Sequence, residues 1–268
     1  MGLSELWRRQ PVFAFFGYFL LLSVPVLFAL SMIDDRMVDG INVWVKPLKF
    51  SVSLSFYSLT LAFFMPWMRE GGSKGGSFRL IVFLYLLAMV FEIFWLWSAS
   101  YLGIRSHFND DGGLYTILYP VSGLFATILV LAALAMGISA LRGRRARPDP
   151  VLTAAIGWGL ILTFVLTLIA AFPLSDPFSN LGGSKNGYGE GFFGWRVEGG
   201  DLRSAHFFAT HSLHTVPIFG WLVSRTVPAA LGMWIVRLGA AAWAVFVLML
   251  AFSVHQGQDL PAVFHQPF

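Results

Sequence analysis

Apolar runs of about twenty residues, separated by short polar stretches, recur along the whole of this 268-residue chain. At 1.5 Å per residue, that is the length a helix needs to cross a hydrocarbon core of about 30 Å. The pattern predicts seven spans: Pro11 to about Ile33, about Pro47 to Trp67, Leu80 to Tyr101, about Ile117 to Ala140, Val151 to Phe172, Ser204 to Val223, and about Gly232 to Phe252. The expected fold is therefore all-α, a polytopic membrane protein built as one seven-transmembrane-helix bundle over residues 1–268. The first run follows Trp7-Arg8-Arg9, as a signal peptide would. It is longer than the 7–15 apolar residues of such a peptide, and Ala29-Leu30-Ser31 makes a poor cleavage site, so it reads as a retained helix. No periodic repeat, second domain or inverted duplication is visible.

Composition strengthens this picture. The chain is 57% hydrophobic and 12% charged, about half the charged fraction of an ordinary soluble domain. It has no cysteine, which removes disulfides, thiolate metal sites and cysteine nucleophiles. A pI near 9.6 does not point to nucleic acid, because the basic residues lie mostly in loops between spans. Arg8, Arg9, Arg69, Lys74, Arg79, Arg142, Arg144, Arg145, Arg147 and Arg225 fall on one side, with Arg237 snorkelling toward it. Ten of the fourteen acids fall on the other: Asp34, Asp35, Asp39, Asp110, Asp111, Asp176, Glu190, Glu198, Asp201 and Asp259. The expected topology has the N-terminus in the cytoplasm and the C-terminus in the periplasm, in a bacterial inner membrane.

Candidate chemistry collects on the outer side. Residues 173–203 form the longest connection, with eight glycines between Gly182 and Gly200 and the apolar Phe192, Phe193 and Trp195. A loop of that length suggests a periplasmic cap over the bundle. The sixth span begins in "GGDLRSAHFFATHSLHTVP", with Asp201 suited to be its N-cap and Arg203 able to pair with it. His211 lies about 10 Å and His214 about 15 Å below its outer end, and Glu92 of the third span lies about 13 Å deep. On the second span Lys49, Ser53, Tyr57 and Thr60 recur at helical spacing as a polar stripe. Ionisable groups at such depth belong in a protein interior or a wet cavity. If the second, third and sixth spans pack together, Glu92, the Lys49 stripe and the sixth-span histidines line one outward-facing pocket.

His211 and His214 point within about 60° of one another on a helix, so they could share one metal ion. His206 is about 140° around from His211 and cannot join them. A third ligand would be Glu92 or His107. Haem b would need two axial histidines on different helices, His255 or His107 facing the sixth span. The bland alternative is interhelical hydrogen bonding or a proton path. Beyond the third span, "GIRSHFNDDGG" offers Arg105, His107 and Asn109 as ligand contacts at the cavity mouth, or simply a solvated turn. No phosphate-binding G-x-x-x-x-G-K-[ST] loop, no G-x-S-x-G elbow and no seventh-span lysine for retinal is present.

The stretches "NVWVKPLKF" (42–50), "RSHFN" (105–109) and "GGDLRSAHFFATHSLHTVP" (199–217) resemble those of a family of uncharacterised bacterial multi-pass integral membrane proteins, in the same order with apolar spans between. That resemblance covers most of the chain and implies no reaction. It implies that Lys46, Lys49, Arg105, His107, Asn109, Asp201, Arg203, His206 and His211 act as one set. It also makes His214 less characteristic, since a glutamine is at home there.

Three functions follow as expectations. In the first, the pocket binds a metal ion, haem or a small ligand and supports redox or metal-assisted chemistry. There Glu92, His206 and His211 are the catalytic candidates, Lys46, Lys49, Arg105, His107, Asn109, Asp201 and Arg203 bind ligand, and His107, His211, His214 and Glu92 hold the metal. The second is a small-solute or proton-coupled transporter. The third is a non-enzymatic sensor or assembly partner acting through the outer loop.

Overall fold

A computed structural model describes residues 2–68, 75–106, 113–143, 147–173, 194–196 and 198–260. Among these residues the chain is almost wholly helical. Six helices are long and apolar enough to cross a membrane: Pro11–Ile33, Val45–Trp67, Gly76–Leu102, Ile117–Gly143, Pro150–Ala171 and Ala229–His255. The protein is thus a multi-pass membrane protein. Most of the expected cap, positions 174–193 and 197, lies outside the described residues.

The chain divides into two compact units, residues 1–66 with 73–132, and residues 67–72 with 133–268. The first opens with the short helix α1 (Leu3–Arg9), where Glu5 pairs with Arg8 at 2.6 Å and Arg9 at 3.1 Å. The hydrogen bond from Arg9, helped by the charge of both arginines, holds the Glu5 carboxyl below its ordinary range. Helix α2 (Pro11–Ile33) starts with Pro11 in its first turn and the Gln10 side chain accepting from the Val12 amide. A two-stranded hairpin follows, β1 (Met37–Val38) and β2 (Ile41–Asn42). Its turn is Asp39-Gly40 with φ of 54° and 79°, the two positive values that a type I′ turn demands.

Helix α3 (Val45–Phe64) then returns along α2 and ends in a single 3-10 turn at Met65–Trp67. The two helices approach so closely at Gly17 that a Cβ there would lie 2.5 Å from the Leu59 side chain. Helix α4 (Gly76–Leu102) ends at Gly103, whose φ of 70° makes a left-handed cap. Helix α5 (Leu114–Gly143) carries Pro120 and passes from the first unit into the second. Within the first unit Phe91 of α4 stacks on Phe125 of α5 at 4.3 Å between centroids.

The second unit is built on α6 (Pro150–Ala171), capped by Asp149 accepting from the Leu152 amide at 2.8 Å. Against it pack α7 (Leu202–Thr210), α8 (Ser212–Thr226) and α9 (Ala229–His255). Small residues set the approach, as expected where helices associate in lipid. A Cβ at Gly220 would meet Ala155 at 2.0 Å, and one at Gly159 would meet Pro217 at 2.7 Å and the Ser212 carbonyl at 2.9 Å.

The expected single span from Ser204 to Val223 is replaced by two helices, α7 and α8, neither long enough to cross alone. They meet at His211, with φ −81° and ψ 1°. There the backbone tightens, since the His211 carbonyl accepts from both His214 N at 2.9 Å and Thr215 N at 3.0 Å. Further along, Pro217 has no N–H to give Leu213. His206 and His211 stay related by the regular turn of α7, His211 N donating to the Phe207 carbonyl at 3.0 Å, whereas the rotation of His214 relative to His211 departs from regular-helix arithmetic.

Candidate functional site

The polar groups of the spans fall into two sets, one in each unit. In the first unit, α3 buries a stripe of small hydroxyls at i, i+4 and i+7: Ser51, Ser55 and Ser58, each no more than 1% exposed. Ser55 Oγ donates to the Gly17 carbonyl of α2 at 2.8 Å. Ser58 Oγ lies 2.5 Å from Tyr85 Oη of α4, and the Tyr85 ring packs edge-on against Phe13. This stripe corrects the expected one. Lys49 and Ser53 are exposed, and Tyr57 lies part-buried with its hydroxyl donating to the Leu129 carbonyl at 2.8 Å. The reason is that α2 meets α3 through Gly17 and Ser55, which turns Ser51, Ser55 and Ser58 inward and rotates Lys49 and Ser53 away. The i, i+4, i+7 spacing of small residues was the available signal.

Glu92 of α4 is 3% exposed, and its Oε1 is fully buried with no hydrogen-bond partner among the described residues. Ser51 Oγ is in the same condition. Lys46, half-buried in the first turn of α3, acts electrostatically on Glu92. These are the groups of the first unit that the fold leaves chemically unfinished.

The surrounding connections are clasps. Arg36 binds Asp34 through both carboxylate oxygens and donates to the Tyr101 carbonyl at 2.8 Å. Trp44 Nε1 also donates to Asp34, at 2.7 Å. The Arg36 and Trp44 bonds together hold the Asp34 carboxyl far below its ordinary range. Arg105, expected as a ligand contact, grips Asp39 of the hairpin turn with distances of 2.6 to 3.0 Å. It thereby ties the α2–α3 connection to the end of α4. His107 and Asn109 lie outside the described residues.

In the second unit, Asp201 is fully buried and caps α7. Its carboxylate accepts from the Arg203 amide at 2.9 Å, the Arg196 amide at 3.0 Å and the Arg203 guanidinium. Arg203 also reaches the Gly194 carbonyl at 2.9 Å. The clasp fixes the start of α7 and seats Trp195 edge-on against Phe207. Beside it, Gly200 at φ 71° sits so close to the end of α9 that a Cβ would lie 3.0 Å from Val254 Cα and 2.6 Å from the Gln258 carbonyl just beyond the helix.

Below the clasp, His206 Nδ1 is buried without a partner among the described residues, and so is Thr167 Oγ1 of α6. At the α7–α8 junction His211 and His214 meet through Nδ1 and Nδ1 at 3.1 Å, one donating and the other accepting. The His211 ring also packs on Phe207 at 4.2 Å. Ser212, next to the junction, accepts from Trp243 Nε1 of α9 at 2.9 Å.

These residues fit a metal poorly. Among the described residues no three side chains of His, Asp or Glu converge, so His211 and His214 gain no third ligand there. Of the two expected haem partners, His107 lies outside the described residues and His255 fits no better. His255 ends α9 twelve residues beyond Trp243, which meets Ser212, and so lies about 18 Å along the helix from the level of His211. Two axial imidazoles on one iron would have to share a level. No protein family, curated protein or solved structure matches this chain.

Proposed function

We propose that the protein is a bacterial inner-membrane protein, N-terminus in the cytoplasm and C-terminus in the periplasm, that binds a small polar ligand or ion through groups buried in its spans. The observation that carries the reading is Glu92, a buried carboxyl in the middle of a span with one oxygen unpartnered. Such a group costs stability wherever it sits, and membrane proteins keep one chiefly where something binds or a proton moves. Lys46 supplies the counter-charge from the end of α3.

Seven crossings follow if α7 and α8 together make the seventh. Supporting this, the pair runs antiparallel to α6 along its length, with Val223 near Gly232 and Val151, Gly220 at Ala155, Pro217 at Gly159, and Ala205 and Ala209 in one core with Leu166 and Ala170. Eleven of the eighteen Lys/Arg residues then fall on the inner side and ten of the fourteen acids on the outer, the bias that the topology favours. Metal-assisted and redox versions draw no support from the donor sets described above.

The test is to compare what small molecules and ions copurify with the wild-type protein and with Glu92→Gln in mild detergent. Mass spectrometry, elemental analysis and an absorption spectrum should reveal a species retained by the first and lost from the second. Identical contents would refute the reading.

A second reading, proton-coupled transport of a small solute, is favoured by the break in the α7–α8 crossing at a histidine pair. Unwound segments at mid-membrane are where transporters place their sites. Reconstituted vesicles should then show flux that varies with pH and disappears in the double variant Glu92→Gln, His211→Ala.

A further inference from the structure

Helices α8 and α9 pack antiparallel in the second unit, and their contacts fix which residues share a level. A Cβ at Gly220 of α8 would lie 3.6 Å from Val236 Cγ2 of α9, and one at Gly232 of α9 would lie 3.4 Å from Val223 Cγ1. Gly239 of α9 likewise lies against Phe219. Counted from these contacts, Trp221 of α8 comes level with Trp234 of α9 to within about 3 Å. Each indole carries an arginine of its own helix. The Arg225 guanidinium lies 5.0 Å from the Trp221 ring centre, and the Arg237 guanidinium lies 5.1 Å from that of Trp234.

Both pairs point outward. At about 100° per residue, Trp221 and Arg225 are turned about 100–140° from the buried Gly220, and Arg237 and Trp234 about 100–160° from the buried Val236. Trp221 is 45% and Trp234 62% exposed, and the neighbouring Ile218, Leu222, Leu231 and Leu238 are exposed with them. The arginines thus stand among apolar side chains, on a surface that suits acyl chains. Arg237 lies eight residues inside α9, about 12 Å from its start at Ala229, and its side chain leans back toward that start. Arg225 lies in the last turn of α8. Among the described residues neither guanidinium meets a carboxylate or a carbonyl, whereas Arg9, Arg36 and Arg203 each donate to one. Stacking uses the face of a guanidinium and leaves the N–H groups on its edge unspent.

We propose that the Arg225–Trp221 and Arg237–Trp234 pairs are two seats for the phosphates of anionic phospholipids, in the leaflet that holds the α8–α9 turn. Each indole fixes the plane of its guanidinium, whose edge then offers parallel N–H groups to two phosphate oxygens. Tryptophan is at home at headgroup level, with its ring toward the acyl chains and its N–H toward water. Charge selects the lipid. Phosphatidylglycerol brings one net negative charge to each guanidinium, whereas the ammonium of a zwitterionic headgroup offsets its own phosphate. The shared level puts both lipids in one leaflet whichever way the chain is inserted, and in the topology proposed above that leaflet is the cytoplasmic one. The α9 seat belongs to a helix long and apolar enough to span, and the α8 seat rests on α7 and α8 making the seventh crossing.

The test is native mass spectrometry of the full-length protein in mild detergent, titrated with phosphatidylglycerol or with phosphatidylcholine. Phosphatidylglycerol should bind ahead of phosphatidylcholine, one molecule at each pair. Arg225→Gln and Arg237→Gln should each weaken one of these by about fivefold, the worth of one arginine beside an anionic headgroup. Trp221→Leu and Trp234→Leu keep the charge and should weaken the same seats. Arg142→Gln should bind as wild type, since Arg142 is exposed at the end of α5 and stacks on no ring among the described residues. Glu92→Gln should also bind as wild type, which separates the lipid seats from the buried ligand anchor. Equal binding of the two lipids overturns the proposal, as does unchanged phosphatidylglycerol binding in the double variant Arg225→Gln, Arg237→Gln. An equal loss in Arg142→Gln would show attraction to net charge alone, and unchanged binding in both tryptophan variants would show that the indoles build no seat. Displacement of the lipid by inorganic phosphate at equal concentration would likewise refute a lipid site.

Discussion

Replacing Glu92 with leucine should make the protein more stable. Glu92 is 3% exposed, one carboxyl oxygen has no partner, and the surroundings are apolar helix faces. A buried polar atom left without a hydrogen bond costs about 1–3 kcal/mol. Leucine is close to glutamate in volume and removes that penalty without opening a cavity. The expected gain is therefore about 1–3 kcal/mol, with Glu92→Gln gaining less because its amide stays buried. Unfolding by SDS in mixed micelles, followed by tryptophan fluorescence, measures the difference. Function should be lost in the leucine variant, so stability and activity move in opposite directions. A leucine variant less stable than wild type by about 1 kcal/mol or more would refute the reasoning, because Glu92 would then be a structural hydrogen-bonding residue.

Other expectations follow from the same geometry. Gly220→Ala should destabilise the second unit by about 1–3 kcal/mol, because its Cβ would meet Ala155 at 2.0 Å, and Ala155→Gly in the same chain should restore much of the loss in SDS titration. Arg203→Ala should cost more than an ordinary surface pair, about 3–5 kcal/mol, since it strands the fully buried Asp201 carboxylate; limited proteolysis near residue 200 should report the released start of α7. The Asp34 carboxyl is held below its unfolded value by Arg36 and then Trp44, so its contribution is present above about pH 4 and is lost as acid titrates it. Melting temperatures of wild type and Asp34→Asn should therefore differ by a constant amount from pH 8 to 5 and converge below about pH 4. His214→Gln should preserve function where His214→Leu does not, because glutamine can still meet His211 Nδ1.

Much of the architecture was legible because a bilayer imposes a length. Each of the six long helices announces itself as an apolar run of fitting size, and the ends agree with the observed helices to within a few residues. Local chemistry was legible too. Asp201 before Leu202 reads as a cap, which depends only on residues adjacent in the chain, whereas the hairpin turned by Asp39-Gly40 appeared only in the structure.

What depended on distant residues was not legible. The stripes Lys49-Ser53-Tyr57-Thr60 and Ser51-Ser55-Ser58 have equally good helical spacing, and only the approach of Gly17 and Tyr85 decides which one is buried. The break at His211 arises where α8 must fit Pro217 and the Ser212 carbonyl against Gly159, a constraint from another helix. Arg105 reads as a ligand contact until the hairpin brings Asp39 to it. The sequence alone determined that helices cross a membrane, because spanning is a property of one segment and its solvent. Tertiary structure decided which polar atoms are left unpaired, because a partner's absence depends on everything packed around the atom. For Glu92, depth could be counted along one helix, whereas the unpartnered oxygen required the helices packed around it.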